Sequence, residues 1–190
     1  MGKNFGQLKT AVQTTTPTDA DAGTYLNEAQ VDLVRGSKRE KNTTIVTASG
    51  KFSVPADCLF VRGVAWDGQY LLQYQGKETP DLGTGDPEYW KYDQATKEIL
   101  LYPVPSSGSA ELIYCPRPTE MSADGDMPAL GDADSALIAY AKWQVYVKKE
   151  DIPAANFWQQ EYEMQKFKWL DLDGKVNKRH PIRVRQRLYR

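Results

Sequence analysis

Apolar positions along the chain change period twice, and the changes mark three zones. Near the start, Phe5, Leu8 and Val12 fall three and four apart, the spacing of one face of a short helix of a turn or two. After Thr16-Pro17-Thr18-Asp19 the same spacing recurs, with Ala22, Leu26, Ala29 and Leu33 in line and Tyr25 beside them. A Thr before Pro, with a carboxylate three residues beyond the Thr, reads as a capping-box-like start, and Arg35-Gly36 reads as the end. Gly23 weighs against the first turn, because glycine gives up more backbone freedom in a helix than other residues do.

From about Asn42 to Pro116 the pattern shortens to strand length. "TTIVTASGKFSVP" predicts two short strands joined near Ser49-Gly50. "CLFVRGVAWDGQYLLQY" predicts a hairpin about Asp67-Gly68, and "YWKYDQATKEILLYPVP" another about Ala95-Thr96. "SAELIYCPRP" supplies a last strand. Alternation is imperfect, and the prolines lie between the strands rather than within them, so a small, mostly antiparallel sheet or sandwich is the economical expectation.

Helical spacing then returns. Asp132 or Asp134 is placed to cap a helix in which Leu137, Tyr140, Gln144 and Val147 form one stripe, with Ala136 and Trp143 beside it. Asp151 is placed to cap another, with Pro153 in its first turn and Phe157, Trp158, Tyr162, Gln165 and Trp169 as a broad aromatic face that ends at Asp173-Gly174. The short Glu150–Pro153 junction makes these two helices antiparallel neighbours. The pattern predicts an α+β protein. A helical bundle of three to four helices (residues 1–40 and 117–172) carries an inserted, mostly antiparallel β subdomain (41–116) and an extended basic C-terminal arm (173–190).

Charge sharpens the last of these segments. The chain has 24 Lys and Arg against 25 Asp and Glu, a net charge of -1, but every acid lies at or before Asp173. The remaining 17 residues carry seven Lys or Arg, which leaves the body with 17 basic residues against 25 acids, or -8. Within that arm Ile182, Val184, Gln186 and Leu188 alternate with Arg183, Arg185, Arg187 and Tyr189, a strand pattern with one apolar and one basic face. A single strand is not stable alone, so the arm needs a sheet edge in its own body or in another chain. Nucleic acid would explain the arginines but not the aliphatic alternation, whereas an acidic protein surface explains both.

Composition offers little for catalysis. The one histidine, His180, sits in the arm, far short of the three ligands of a catalytic metal site. Cys58 and Cys115 are expected as two reduced, buried thiols rather than a disulfide or one half of a Cys-His pair. The acid pairs Asp19/Asp21, Asp124/Asp126, Asp132/Asp134 and Asp171/Asp173 lack the closing Glu of a calcium loop and suit turns and caps. Gly83 and Gly85 belong to no strand-to-helix phosphate cradle. No apolar run resembles a signal peptide or reaches the roughly 18 residues of a membrane span, so a soluble, noncatalytic protein without cofactor, metal or membrane partner is expected.

Four stretches, taken in order, carry a resemblance. They are "TYLNEAQVDLVRG", "KFSVPADCLFVRGVAWDGQYLLQY", "YWKYDQATKEILLYPVPSSGSAELIYCPRP" and "MPALGDADSALIAYAKWQVYVKKEDIPAANFWQQEYEMQKF". Together they resemble the head-tail connector, or adaptor, proteins of tailed bacteriophages over about residues 5 to 170. The resemblance implies a helical bundle with a β-rich insertion, in a ring of commonly twelve copies beneath the portal protein at one capsid vertex. Such a ring extends the DNA channel and is a platform for the next tail or neck protein, in the virion after assembly in the host cytoplasm. It implies a portal-docking arm in which Ile182, Val184, Leu188 and Tyr189 anchor while Arg183, Arg185, Arg187 and Arg190 meet an acidic groove. It also implies core and ring packing by Tyr25, Leu26, Leu33, Leu137, Tyr140, Trp143, Phe157, Trp158 and Trp169. Genomic DNA would pass an acidic wall without specific binding, since like charge repels phosphate. A stopper or nozzle-like component one ring further down, and a nucleic-acid-binding module using the arm, are the alternatives.

Overall fold

The computed structural model describes residues 2–14, 19–46, 50–76 and 83–176. Two compact units emerge, one built from both ends of this span and holding the described helices, the other from residues 39–116 and holding the described strands.

The helical unit contains α1 (Phe5–Gln13), α2 (Ala22–Gly36), α3 (Asp134–Lys148) and α4 (Ile152–Val176). Helix α1 opens on a reciprocal capping box. The Asn4 side chain accepts from the Gln7 N–H at 2.9 Å, and the Gln7 side chain accepts from the Asn4 N–H at 3.0 Å. Phe5, Leu8 and Val12 are buried along one face. Phe5 also accounts for Gly23: a Cβ at that position would stand 2.9 Å from the Phe5 ring, closer than packing allows. Helix α2 does not begin at the Thr16-Pro17 signal, which lies outside the described residues. Its first residue is Ala22, because the Asp19 carboxylate accepts the Asp21 N–H at 2.8 Å and the Asp19 carbonyl accepts the Ala22 N–H, a tight turn immediately before the helix.

Helix α3 packs against each of the other three helices. Its buried row is Leu137, Ala141 and Val145, flanked by Ala136 and Ala139, small side chains that let neighbouring helices approach. Val147 is therefore exposed rather than part of the stripe, since Val145 completes the i, i+4, i+8 row. Neither Asp132 nor Asp134 caps α3. Ala133 stands at the N-cap, and Asp134, the first helical residue, accepts instead from the Lys3 N–H at 2.8 Å.

Helix α4 is capped by Asp151, whose carboxylate accepts the Ala154 N–H at 3.1 Å. It buries Ala155, Tyr162, Trp169 and Asp173. Phe157 is not on that face: two residues from Ala155, it is turned about 200° around the helix and is 59% exposed. Nor does Gly174 end the helix, which continues to Val176. Buried Asp173 extends the inner row, and Lys175 pairs with Asp171 at 2.6 Å across the last turn. Between the strands and α3, the loop is tied to α2 by side chains. Asn27 bonds the Met121 backbone through both of its polar atoms, and the buried Gln30 accepts from the Ala129 N–H at 2.9 Å.

Among its described residues the β unit has eight strands: β1 (Lys41–Val46), β2 (Lys51–Ser53), β3 (Cys58–Trp66), β4 (Gln69–Tyr70), β5 (Leu72–Gln73), β6 (Tyr89–Asp93), β7 (Glu98–Tyr102) and β8 (Ser109–Pro116). They form two four-stranded sheets, ordered β1-β8-β3-β4 and β2-β7-β6-β5, antiparallel except for the β5–β6 pair. The two strands read around Ser49-Gly50 thus belong to different sheets. Both expected hairpins form. Asp67 and Gly68 each have positive φ, as a two-residue turn matched to strand twist requires. The sheets share one apolar core that includes Phe52, Val64, Trp66, Trp90, Ile99, Leu101, Leu112 and Tyr114. Irregular register between β3 and β8, at Cys58/Phe60 and Val61/Gly63, accounts for the broken alternation of β3.

Candidate interaction surface

The arm residues Ile182, Arg183, Val184, Arg185, Arg187, Leu188, Tyr189 and Arg190 lie outside the described residues. The other candidates divide by depth. Leu26, Leu33, Leu137 and Trp169 are interior to the helical unit, Tyr25, Tyr140, Trp143 and Trp158 are half-buried, and Phe157 faces outward. Trp169 is fixed by an indole N–H that donates to the Gly131 carbonyl at 2.9 Å.

Two of the half-buried aromatics, Tyr140 and Trp143, flank a polar clamp between α2 and α4. The Tyr162 hydroxyl donates to the Asp32 carboxylate, and the Lys166 ammonium bonds the same carboxylate at 2.7 Å. Tyr140 meets the Tyr162 ring edge-on at 5.0 Å, and Trp143 stacks on it at 6.2 Å. Burial pushes the Tyr162 phenol up, and its bond to Asp32 pushes it further. For Asp32, burial opposes ionisation, but the hydrogen bonds from Lys166 and Tyr162 outweigh it and hold the carboxyl below its usual range. Both bonds fall on the same Asp32 carboxylate oxygen, which serves as a clamp holding two helices together. Tyr162 is a predicted face residue, but Asp32 and Lys166 carry no linear signal; their pairing depends on α2 and α4 being neighbours.

Lys142 is a second feature hidden from linear reading. It is 6% exposed, and its ammonium lies 4.3 Å from the centre of the Trp158 ring, with no hydrogen bond or ion pair to another described residue. Burial lowers its pKa, and the ring face supplies the compensating attraction.

The outer face of α4 is apolar as well. Phe157, Met164 and Phe167 are 59%, 46% and 73% exposed, spaced seven and three residues apart, so this helix presents an aromatic inner face and a second apolar stripe outside. Sequence reading missed Met164 and Phe167. Their seven-three spacing with Phe157 was the available signal, hidden because Trp158, Tyr162 and Trp169 also satisfy helical periodicity.

In the β unit, Lys41 pairs with Asp57 at 2.8 Å, and the Tyr114 hydroxyl donates to the same carboxylate at 3.0 Å. Val46 on β1 and Leu72 on β5 are exposed, each on a strand at the margin of its sheet. Cys58 and Cys115, on the paired strands β3 and β8, form no disulfide; Cys115 is buried as expected but Cys58 only half-buried, and burial pushes Cys58 up to about 11. Among the described residues, no three of His, Cys, Asp or Glu are grouped to hold a metal ion, and no helix is long and apolar enough to cross a membrane.

The helical unit with an inserted two-sheet β unit agrees with the architecture that the adaptor resemblance implies. No curated protein matches the chain. The sequence model described as SU10 adaptor protein matches residues 3–185, which spans both units and reaches into the basic arm, and the chain therefore belongs to the SU10 adaptor protein family of bacteriophages.

Proposed function

We propose that this chain is a noncatalytic structural protein of the virion neck, a head-to-tail adaptor. Many copies, commonly twelve, form a ring that docks on the portal protein, extends the DNA channel and supplies the platform for the next tail or neck protein. The observation that carries this reading is the family match over residues 3–185. Three features support it. The acids are confined to residues up to Asp173, so a ring of such bodies would line a channel with charge that repels DNA phosphate. The arm beyond α4 is basic, with alternating Ile182, Val184 and Leu188, which suits strand addition to an acidic partner. The outer stripe of α4 leaves apolar surface uncovered within one copy.

The test is to end the chain after Val176, which keeps α4 whole and removes Arg179, Arg183, Arg185, Arg187 and Arg190 with the apolar anchors. Mixed with the cognate portal ring and viewed as single particles, the full chain forms a ring on the portal and the shortened chain does not. Undiminished docking of the shortened chain would remove the arm from the proposal. Retention of duplex DNA by the full chain at about 150 mM salt, with steep loss as salt rises, would favour the nucleic-acid-binding alternative instead.

A further inference from the structure

The outer stripe of α4 has a geometry that selects its occupant. Phe157, Met164 and Phe167 stand at successive a, a and d positions of a heptad frame, with polar Gln160 at the intervening d position. The stripe is short, since the next a and d positions are Asp171 and Gly174, but its seven-three spacing over residues 157–167 suits a second helix packed nearly parallel to α4 better than a strand or a nucleic-acid backbone.

Charge on the two flanks narrows the choice. In the same frame Glu163 is a g position and Lys168 the following e position, both exposed, and neither forms an ion pair with another described residue. A g residue meets the e residue five positions on in a neighbouring helix that runs in the same direction. Glu163 of one copy and Lys168 of the next are five apart and opposite in charge, so the flanks are complementary to a second copy of α4. In an antiparallel pair g faces g and e faces e, so Glu163 would not meet Lys168. Side-by-side parallel helices are also what rotation about an axis along the helix produces, for any number of copies.

We infer that the outer stripe of α4 is a contact between copies of this chain, with neighbouring α4 helices parallel and Glu163 facing Lys168 of the next copy. This rests on the proposed homo-oligomeric ring and names the surface that closes it. Sedimentation velocity of the full chain, alone and with the cognate portal ring, tests it. The double substitution F157S/F167S abolishes assembly while the helical circular dichroism and melting temperature stay at the wild-type values. E163K and K168E each weaken assembly about fivefold, the upper end for an exposed pair, and E163K/K168E in one chain restores it to within about twofold. A double variant no better than the single ones, or a ring indifferent to F157S/F167S, overturns the α4 contact and leaves the adaptor ring standing. Variants that self-associate normally but fail to dock assign the stripe to the portal, and overturn the inference too. A wild-type chain that stays monomeric even with portal present overturns the ring and the contact together.

Discussion

Replacing Trp169 by Ala tests how the helical unit is held together. The indole is 4% exposed and lies on the inner row of α4, so its removal deletes a large aromatic volume from a place that solvent does not reach. Buried Trp or Phe to Ala changes cost about 3–5 kcal/mol, because lost transfer energy adds to that of the cavity left behind. The indole N–H also leaves the Gly131 carbonyl, but Gly131 is exposed and water replaces the donor, so this bond contributes at most about 1 kcal/mol. Trp169→Phe separates the terms: it keeps most of the packing, loses the bond, and costs less than half of the Ala change. Thermal melting followed by helical circular dichroism reads the result. A 190-residue chain loses about 6–20 °C for 3–5 kcal/mol. A cost below about 0.5 kcal/mol for Trp169→Ala, or equal costs for Ala and Phe, would refute the assignment of this residue to a packed interior.

Three further outcomes follow from the same structure. Phe157→Ala changes the stability of the single copy by less than about 0.5 kcal/mol, since the ring faces solvent, and a loss of 2 kcal/mol in urea denaturation would put it back in the core. Asp32 has a folded pKa below its ordinary 3.8, so its contribution is fully present above that value and is lost as pH falls through the folded one; Asp32→Asn therefore lowers stability at pH 7 and flattens the acid limb of a stability–pH curve. An unchanged acid limb would refute the clamp. With its pKa raised from 9.0 to about 11, native Cys58 alkylates at pH 8 about a hundredfold more slowly than the unfolded chain does, and equal rates would show the thiol to be unburied.

Much of the fold was legible along the chain because it rests on local periodicity. Leu26, Ala29 and Leu33 in α2, the Asp67-Gly68 turn and the Asp151 cap each express their structure within a few residues. Errors arose where local signals competed. Two acids two residues apart, Asp132 and Asp134, both suit an N-cap, and the position went to Ala133 because Asp134 was drawn to the Lys3 backbone. Gly174 has the chemistry of a helix end, but burial of Asp173 carried α4 past it.

On its own, then, the sequence determined the order of elements, the polarity of charge between body and arm, and the family, since each is a property of neighbouring residues or of motifs in line. Tertiary structure decided the division of the strands into two sheets, the Asp32–Tyr162–Lys166 clamp and the outward direction of Phe157. In each case the deciding contacts join residues far apart in the sequence. A helix with apolar residues on more than one side, such as α4, does not specify which face is inside; that is set by the partners that α2 and α3 bring against it.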